Sequence, residues 1–262
     1  MMGGRGGSSG LGSSISLRNL IGEAQAAQSG GGWSANTDPN KHGDYDNNGN
    51  PNLIKYQGQE DDKTASFLAG TDKNVNLNDA QYQDGYSYHN LPLNRLLARM
   101  GINNGPKVLN DTDFNAYLKA TGQTAGYRGW SSAASADRFI NTKNNHVGNG
   151  VMGDGYYFSS SKSTALGYSG SGALGRGEIT RVALSPSARV IDLGTLRTAM
   201  YGASPKLQSA LSKAGHYGSG RTYGPNSGES QYALKMGYNV IKSGDYYVAV
   251  TNDALVVSKK KL

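Results

Sequence analysis

The segment Gly155-Tyr156-Tyr157-Phe158-Ser159-Ser160-Ser161-Lys162-Ser163 lies near the middle of this 262-residue chain. An aromatic run of this kind is typical of a β-strand, and we predict one from Tyr156 to Ser160. The preceding Gly153-Asp154-Gly155 is predicted to be a turn that enters this strand and not a phosphate-binding loop. The residues alone also fit an ordinary strand that is followed by a serine-rich turn.

Helices and strands predicted on both sides of this segment alternate irregularly. Helices are predicted at Leu91–Met100, Asp111–Gly122, Ala133–Ile140, Leu196–Leu211 with a break near Pro205, and Ser230–Met236. Strands are predicted at Gly126–Trp130, Glu178–Leu184, Arg189–Leu193, Asn239–Ile241, Tyr246–Val250 and Ala254–Val257. Short strands mixed with helices, without regular βαβ units, indicate an α+β domain over residues 86–262.

The first 85 residues have a different composition and are predicted to be a Gly/Asn-rich N-terminal extension. Residues 1–12 are rich in Gly and Ser and should form a flexible leader. Ser14–Gln28 has the loose apolar spacing of a short amphipathic helix. Three roles are compatible with the extension: it wraps the domain, binds something else or stays loose.

Composition excludes several classes of site. The chain has no cysteine, which excludes disulfides, thiolate metal sites and a cysteine nucleophile. The four histidines are dispersed without metal-ligand spacing, and no metal is expected. The net charge is +7, but the only basic cluster is Lys259-Lys260-Lys261, which we predict to be a solvated end. Binding to nucleic acid is therefore only weakly supported.

No apolar stretch reaches the length of a membrane span, and no Sec signal precedes one. We expect no membrane association. The expected locations are the cytoplasm, a virion, or delivery by a specialised secretion system.

Taken with Tyr127-Arg128-Gly129 ahead of it, the aromatic and serine segment resembles ADP-ribosyltransferases. Tyr157 to Ser161 is similar to the nicotinamide-binding strand of that family, and the Tyr-Arg-Gly to its first strand. The end of the chain, Tyr232–Ile241 and then Tyr246–Val250, resembles the end of such domains in phage head-associated and exported bacterial proteins. The resemblance covers roughly residues 105–257. It implies a split, mostly antiparallel β-sandwich with flanking helices.

The resemblance assigns a set of residues to NAD. Arg128 would bind the phosphates, because a planar guanidinium suits bidentate phosphate contact. Tyr157 would face the nicotinamide ring, Tyr168 would stack on it, and Ser159 would support the pocket through hydrogen bonds. The sequence differs from the poly(ADP-ribose) polymerase branch of the family in two ways. Arg128 replaces a histidine, and the segment from Lys162 to Tyr168 is longer. The full NAD-binding set implied is Arg128, Gly129, Tyr157, Ser159, Ser160 and Tyr168.

A late carboxylate should complete the site, because the reaction develops positive charge at the ribose. Glu229 is the preferred candidate. It follows a Gly/Ser/Tyr-rich stretch at residues 215–228 that would recognise the acceptor. Ser227 stands where the toxin branch carries Gln or Glu, so specificity for arginine or asparagine is not implied. Asp245, just before the strand at Tyr246, is the rival candidate.

The function implied is that of a mono-ADP-ribosyltransferase with Arg128, Ser159 and Glu229 as its catalytic residues. It would transfer ADP-ribose from NAD to a macromolecular acceptor, expected to be a host protein, and release nicotinamide. No metal or covalent enzyme intermediate is required. Two alternatives remain at this point: an NAD glycohydrolase on the same fold, with water as the acceptor, and a catalytically inactive structural or virion component.

Overall fold

A computed structural model describes residues 105–141, 150–169, 177–214 and 228–262, together with residues 17, 19–21, 93 and 97. At residues 211–214 and at residue 235 only the backbone is described. Most of the predicted extension, and residues 215–227 of the predicted acceptor loop, lie outside the described residues.

In the described ranges, eight strands form one open, mixed sheet in the order β1-β8-β4-β2-β3-β7-β6-β5. The pairs β1–β8 and β5–β6 are parallel, and all other neighbouring pairs are antiparallel. The strands are β1 (Lys107–Leu109), β2 (Gly126–Trp130), β3 (Tyr156–Ser159), β4 (Glu178–Leu184), β5 (Val190–Asp192), β6 (Val240–Ser243), β7 (Tyr246–Ala249) and β8 (Leu255–Lys261).

Six α-helices whose two ends are both described flank this sheet, so the domain is α+β, as the sequence predicted. A 3₁₀ turn at Asn252–Ala254 leads into β8. The helices are α1 (Asp111–Thr121), α2 (Ala133–Asn141), α3 (Lys162–Tyr168), α4 (Leu193–Tyr201), α5 (Pro205–Ala214) and α6 (Glu229–Lys235).

The shortest ladder of the sheet lies at its centre, between β2 and β3. β2 pairs with β4 along the whole length of β2, and β3 pairs with β7 along their whole lengths. In contrast, β2 and β3 share only the pair Tyr127 and Ser159. The hydrogen-bonded ladder stops there, which leaves room for a side chain between the two halves of the sheet.

Side chains alternate between the two faces of each strand, and this alternation divides the core. On one face, a single apolar cluster runs across both halves of the sheet beneath α2. On the other face, one cluster lies beneath α4 and α6 and a separate one beneath α1. The first cluster includes Phe139, Tyr156, Phe158, Val182, Val240 and Leu255. The other two include Leu196, Ala233, Ile241 and Val248, and Phe114, Tyr117, Ala183 and Val256.

Residues that precede β1 also contribute to these clusters. Leu17 and residues 19–21 are helical, and Leu20 is buried against Phe114 and Tyr117. At these residues the predicted extension therefore packs against the domain. Leu93 and Leu97, from the helix predicted at Leu91–Met100, are helical and fully buried in the cluster beneath α4.

The C-terminal lysines lie at the end of a strand, because β8 continues through Lys261. Lys259 and Lys260 are exposed, as expected for a solvated end. Lys261 Nζ lies 2.8 and 2.9 Å from the two carboxylate oxygens of Asp137 on α2. Lys260 Nζ lies 3.8 Å from Asp111 Oδ2. Pairing with β4 and these ion pairs extend the strand beyond its apolar residues.

Helix α3 differs from the prediction, because no helix was predicted between Ser161 and Tyr168. Ser161 caps it: the Ser161 hydroxyl accepts a hydrogen bond from Thr164 N at 3.3 Å. The backbone of α3 lies directly on β2 at Gly129. A Cβ atom at Gly129 would overlap Ala165 O and would lie 2.8 Å from Ser169 N.

None of the described helices is long and apolar enough to cross a membrane.

We predict that Gly129→Ala destabilises the domain by about 1–3 kcal/mol, the range for forcing extra atoms into a packed interior. The obstacle is helix backbone, which cannot move aside as a flexible side chain can. The free energy of unfolding from chemical denaturation measures the effect. Gly167→Ala is the matched control, because a Cβ atom there meets nothing within 4 Å. It should leave stability unchanged or raise it slightly. Equal stability of wild type and Gly129→Ala would contradict the close packing of α3 on β2.

Candidate active site

Arg128 occupies the gap between β2 and β3. Its Nη1 donates a hydrogen bond to the backbone carbonyl of Tyr157 at 2.8 Å, across the point where the ladder stops. Its guanidinium carbon lies 5.1 Å from the ring centroid of Trp130 and 5.3 Å from that of Tyr156. Cation–π attraction and a backbone acceptor therefore hold this half-buried cation in a fixed position.

Tyr157 fixes the loop that enters β3. Its hydroxyl donates to Gly153 O at 2.6 Å and accepts from Met152 N at 2.8 Å. Gly150 lies so close to the ring that a Cβ atom there would overlap it. The phenol is thus committed to the loop, whereas the resemblance predicted a ring that faces nicotinamide. Only the ring surface that the loop leaves uncovered is available to a ligand.

The turn at Asp154 is held from both sides. Gly153 has a φ of 105°, a conformation that favours glycine, and a Cβ atom there would overlap Ser230 Oγ. The Ser230 hydroxyl donates to Asp154 O at 2.5 Å. On the other side, a Cβ atom at Gly155 would lie 2.7 Å from Ala249 O on β7. Asp154 is therefore presented at a defined place beside the start of α6.

Glu229 begins α6 and is only 1% exposed. Arg197, on α4, donates to Glu229 Oε1 from Nε at 3.2 Å and from Nη2 at 3.1 Å. Arg197 Nη2 also donates to Val151 O at 3.3 Å. One arginine thus joins the acid on α6 to the loop that Tyr157 holds.

The charges of these groups shift one another's pKa values. Burial, together with the nearby Glu229 carboxylate, raises the pKa of Asp154 from 3.8 to about 7. Burial also raises the pKa of Glu229, against the opposing effects of its own backbone N–H and of Arg197. The pKa of Tyr157 is raised chiefly by burial; Asp154 and Glu229 raise it further, while the Met152 N–H and Arg128 lower it. We call Arg128, Asp154, Tyr157, Arg197 and Glu229 the β3-entry cluster.

Asp245 lies at the other end of β3. The Ser160 hydroxyl donates to Asp245 Oδ1 at 2.9 Å, and Ser160 N donates to Asp245 O at 2.9 Å. Roughly 20 Å of extended chain separates Asp154 from Ser160. Asp245 is also not among the charges that shift the pKa of Tyr157. Of the two candidate acids, Glu229 is therefore the one that shares its surroundings with Tyr157.

The remaining predicted site residues lie along β2, β3 and α3. Ser159 is buried, and its hydroxyl accepts from Ser161 N at 3.1 Å, which shapes the turn into α3. Ser160 is exposed and bonded to Asp245. Tyr168, at the end of α3, is 71% exposed. Gly129 serves the packing of α3 on β2.

Sequence reasoning missed two members of the cluster, Asp154 and Arg197. Asp154 was assigned to a turn, and the glycines on either side of it were the available signal that the backbone there is tightly packed. Arg197 carried no signal, because it lies 32 residues before Glu229 in the sequence. Among the residues that the structure describes, no group of three or more His, Cys, Asp or Glu could hold a metal ion.

Comparison of the chain with known protein families, with curated proteins and with solved structures finds no match. A function for the chain therefore has to be inferred from the geometry and chemistry of the site residues.

We predict that stability falls as the pH rises from about 4 to 7, and that Asp154→Asn removes part of this fall. The folded state holds a proton on Asp154 up to a pH of about 7, whereas the unfolded chain releases it near 3.8. The folded state therefore loses relative stability across this interval, by at most about 1.4 kcal/mol per pH unit from this group. Asparagine cannot ionise and avoids the loss.

Chemical denaturation at several pH values between 4 and 8 measures the slopes. Asp245→Asn, which removes a carboxylate at the other end of β3 and leaves Asp154 in place, should keep the wild-type slope. Identical slopes for wild type and Asp154→Asn would show that Asp154 ionises freely in the folded state.

Proposed function

We propose that this chain is a mono-ADP-ribosyltransferase, which transfers ADP-ribose from NAD to a macromolecular acceptor, expected to be a host protein, and releases nicotinamide. The observation that carries the proposal is the arrangement around Tyr157. Arg128 donates to the Tyr157 carbonyl. The buried carboxylate of Glu229 raises the pKa of the Tyr157 hydroxyl and Arg128 lowers it, although Arg128 and Glu229 come from elements far apart in the sequence. These are the residue types that the resemblance assigned to the site.

The shape of the sheet supports the same family. Two halves that meet at the single pair Tyr127 and Ser159 are compatible with a split sandwich. Most strand pairs are antiparallel, as that fold requires. We therefore propose the ADP-ribosyltransferase fold as the finer description of this α+β domain.

The chemistry asked of the site is electrostatic. Departure of nicotinamide leaves positive charge on the ribose, and a carboxylate placed beside that charge lowers the barrier. Glu229 would serve this role. Arg197 opposes the rise in its pKa that burial causes, which favours the ionised form that the role requires. Arg128 would bind the pyrophosphate, because its guanidinium is fixed before the substrate arrives.

A second candidate function is a catalytically inactive structural or virion component. The observation that favours it is the confinement of Glu229, which is 1% exposed and bonded through one oxygen to two nitrogens of Arg197. Such an ion pair also fits a purely structural role. Release of nicotinamide from NAD separates the two candidates. Release that a macromolecular acceptor does not accelerate would instead indicate an NAD glycohydrolase.

Glu229→Gln should leave NAD binding nearly intact and lower turnover at least about a hundredfold. The charge that the carboxylate opposes exists only in the transition state, so affinity for the ground state should change little. Nicotinamide release and calorimetric binding of NAD measure the two effects. The matched control is Asp245→Asn, which should cost little. The reverse result would make Asp245 the catalytic acid, and loss of neither activity would remove both from catalysis.

Arg128→Lys should lower kcat/KM for NAD. The expected loss of transition-state stabilisation is about 2–3 kcal/mol, the scale of one preorganised electrostatic contact. Lysine offers a point charge where a planar fork is needed. Arg181→Lys is the control, because Arg181 stacks over Phe114 and pairs with Asp111, away from the β3-entry cluster. If Arg128→Lys keeps its melting temperature and its full activity, Arg128 does not bind the substrate.

A further inference from the structure

Asp154 is a carboxylate that the proposed function does not yet use. Its backbone is held by the Ser230 hydroxyl on one side and by the packing of Gly155 against β7 on the other. The residue is half-buried, so part of it stays reachable. Glu229 precedes Ser230 in the sequence, so the hydrogen bond from Ser230 holds the Asp154 backbone next to Glu229. Asp154 is therefore placed to act together with Glu229.

The two carboxylates of this region have unequal partners. Glu229 receives two hydrogen bonds from Arg197. Among the residues that the structure describes, none donates a hydrogen bond to the Asp154 carboxylate. The charged and titratable groups coupled to Asp154 are Glu229 and Tyr157, and Arg197 and Arg128 act on those two. Unequal environments of this kind assign different tasks to two neighbouring acids.

We propose that Asp154 is the general base that accepts the proton of the acceptor group during transfer. This inference rests on the proposed function. It also specifies the acceptor: a group that carries a proton when it attacks, such as a hydroxyl, an amide or water, and not a carboxylate. Burial, which brings the pKa of Asp154 to about 7, supports the assignment, because a base that titrates near the working pH can both take and release a proton.

The bond between the ribose carbon and the nicotinamide nitrogen breaks, and its electron pair stays on nicotinamide, which leaves as a neutral molecule. A lone pair of the acceptor forms the new bond to the same ribose carbon. The acceptor proton passes to a carboxylate oxygen of Asp154 and is then released to solvent. Glu229 stabilises the positive charge and exchanges no proton.

Nucleophiles with and without a proton test the assignment. Nicotinamide release from NAD, and the products formed, are measured in buffer alone, with methanol and with azide, for wild type, Asp154→Asn and Glu229→Gln. Water and methanol must lose a proton, whereas azide attacks as an anion. Asp154→Asn should lose at least about a hundredfold in turnover with water and methanol, the low end for removal of a general base. Azide should restore much of that loss and yield ADP-ribosyl azide.

Glu229→Gln is the matched variant, and azide should not restore it, because the positive charge would still lack its partner. An Asp154→Asn protein with wild-type turnover in water would overturn the inference alone, as would equal losses with water and azide. A wild-type protein that releases no nicotinamide, in buffer or with host lysate, would overturn the proposed function and this inference with it. Melting curves establish that each variant folds, and Asp154→Ser replaces Asp154→Asn if the latter does not.

Discussion

The hydrogen bond from Arg128 to the carbonyl of Tyr157 is the contact on which the centre of the molecule depends. It joins β2 to β3 where their ladder has already stopped. The same guanidinium lies over the rings of Trp130 and Tyr156, so one cation connects both halves of the sheet. If Arg128 also binds a phosphate, the guanidinium is already held in position by its structural role. The residue that connects β2 to β3 also lines the gap between them.

From that contact the β3-entry cluster can be followed outward. The Tyr157 hydroxyl fixes the loop at residues 150–153 through two hydrogen bonds, to Met152 N and Gly153 O. Arg197 grips the same loop at Val151 and holds Glu229 at the start of α6. The links made by Arg128 and Arg197 join elements that are distant in sequence, so the cluster exists only in the folded domain. Its charges are brought together by backbone contacts as much as by pairing between side chains.

Local patterns predicted the strands at β2, β3 and β4 and the break between α4 and α5, because these elements are set by alternation and by proline. The structure departs from prediction where packing decides. Helix α3 has only seven residues and contains Gly167, so it depends on its Ser161 cap and on the close approach at Gly129. The pairing of Glu229 with Arg197, and the burial of Asp154, are tertiary properties that no short motif contains.

The single pair between β2 and β3 also changes what holds this sheet together. In an ordinary ladder the connection between strands is made by peptide groups, which any sequence supplies. Here the halves are joined by the apolar layer beneath α2, where Phe158 and Tyr156 meet Val182 and Leu255, by the side chain of Arg128, and by the packing of α3, which follows β3, on Gly129 of β2. The continuity of the sheet thus depends on which side chains are present at these positions. Substitutions at a few of them can loosen one half from the other, while every strand stays paired within its own half.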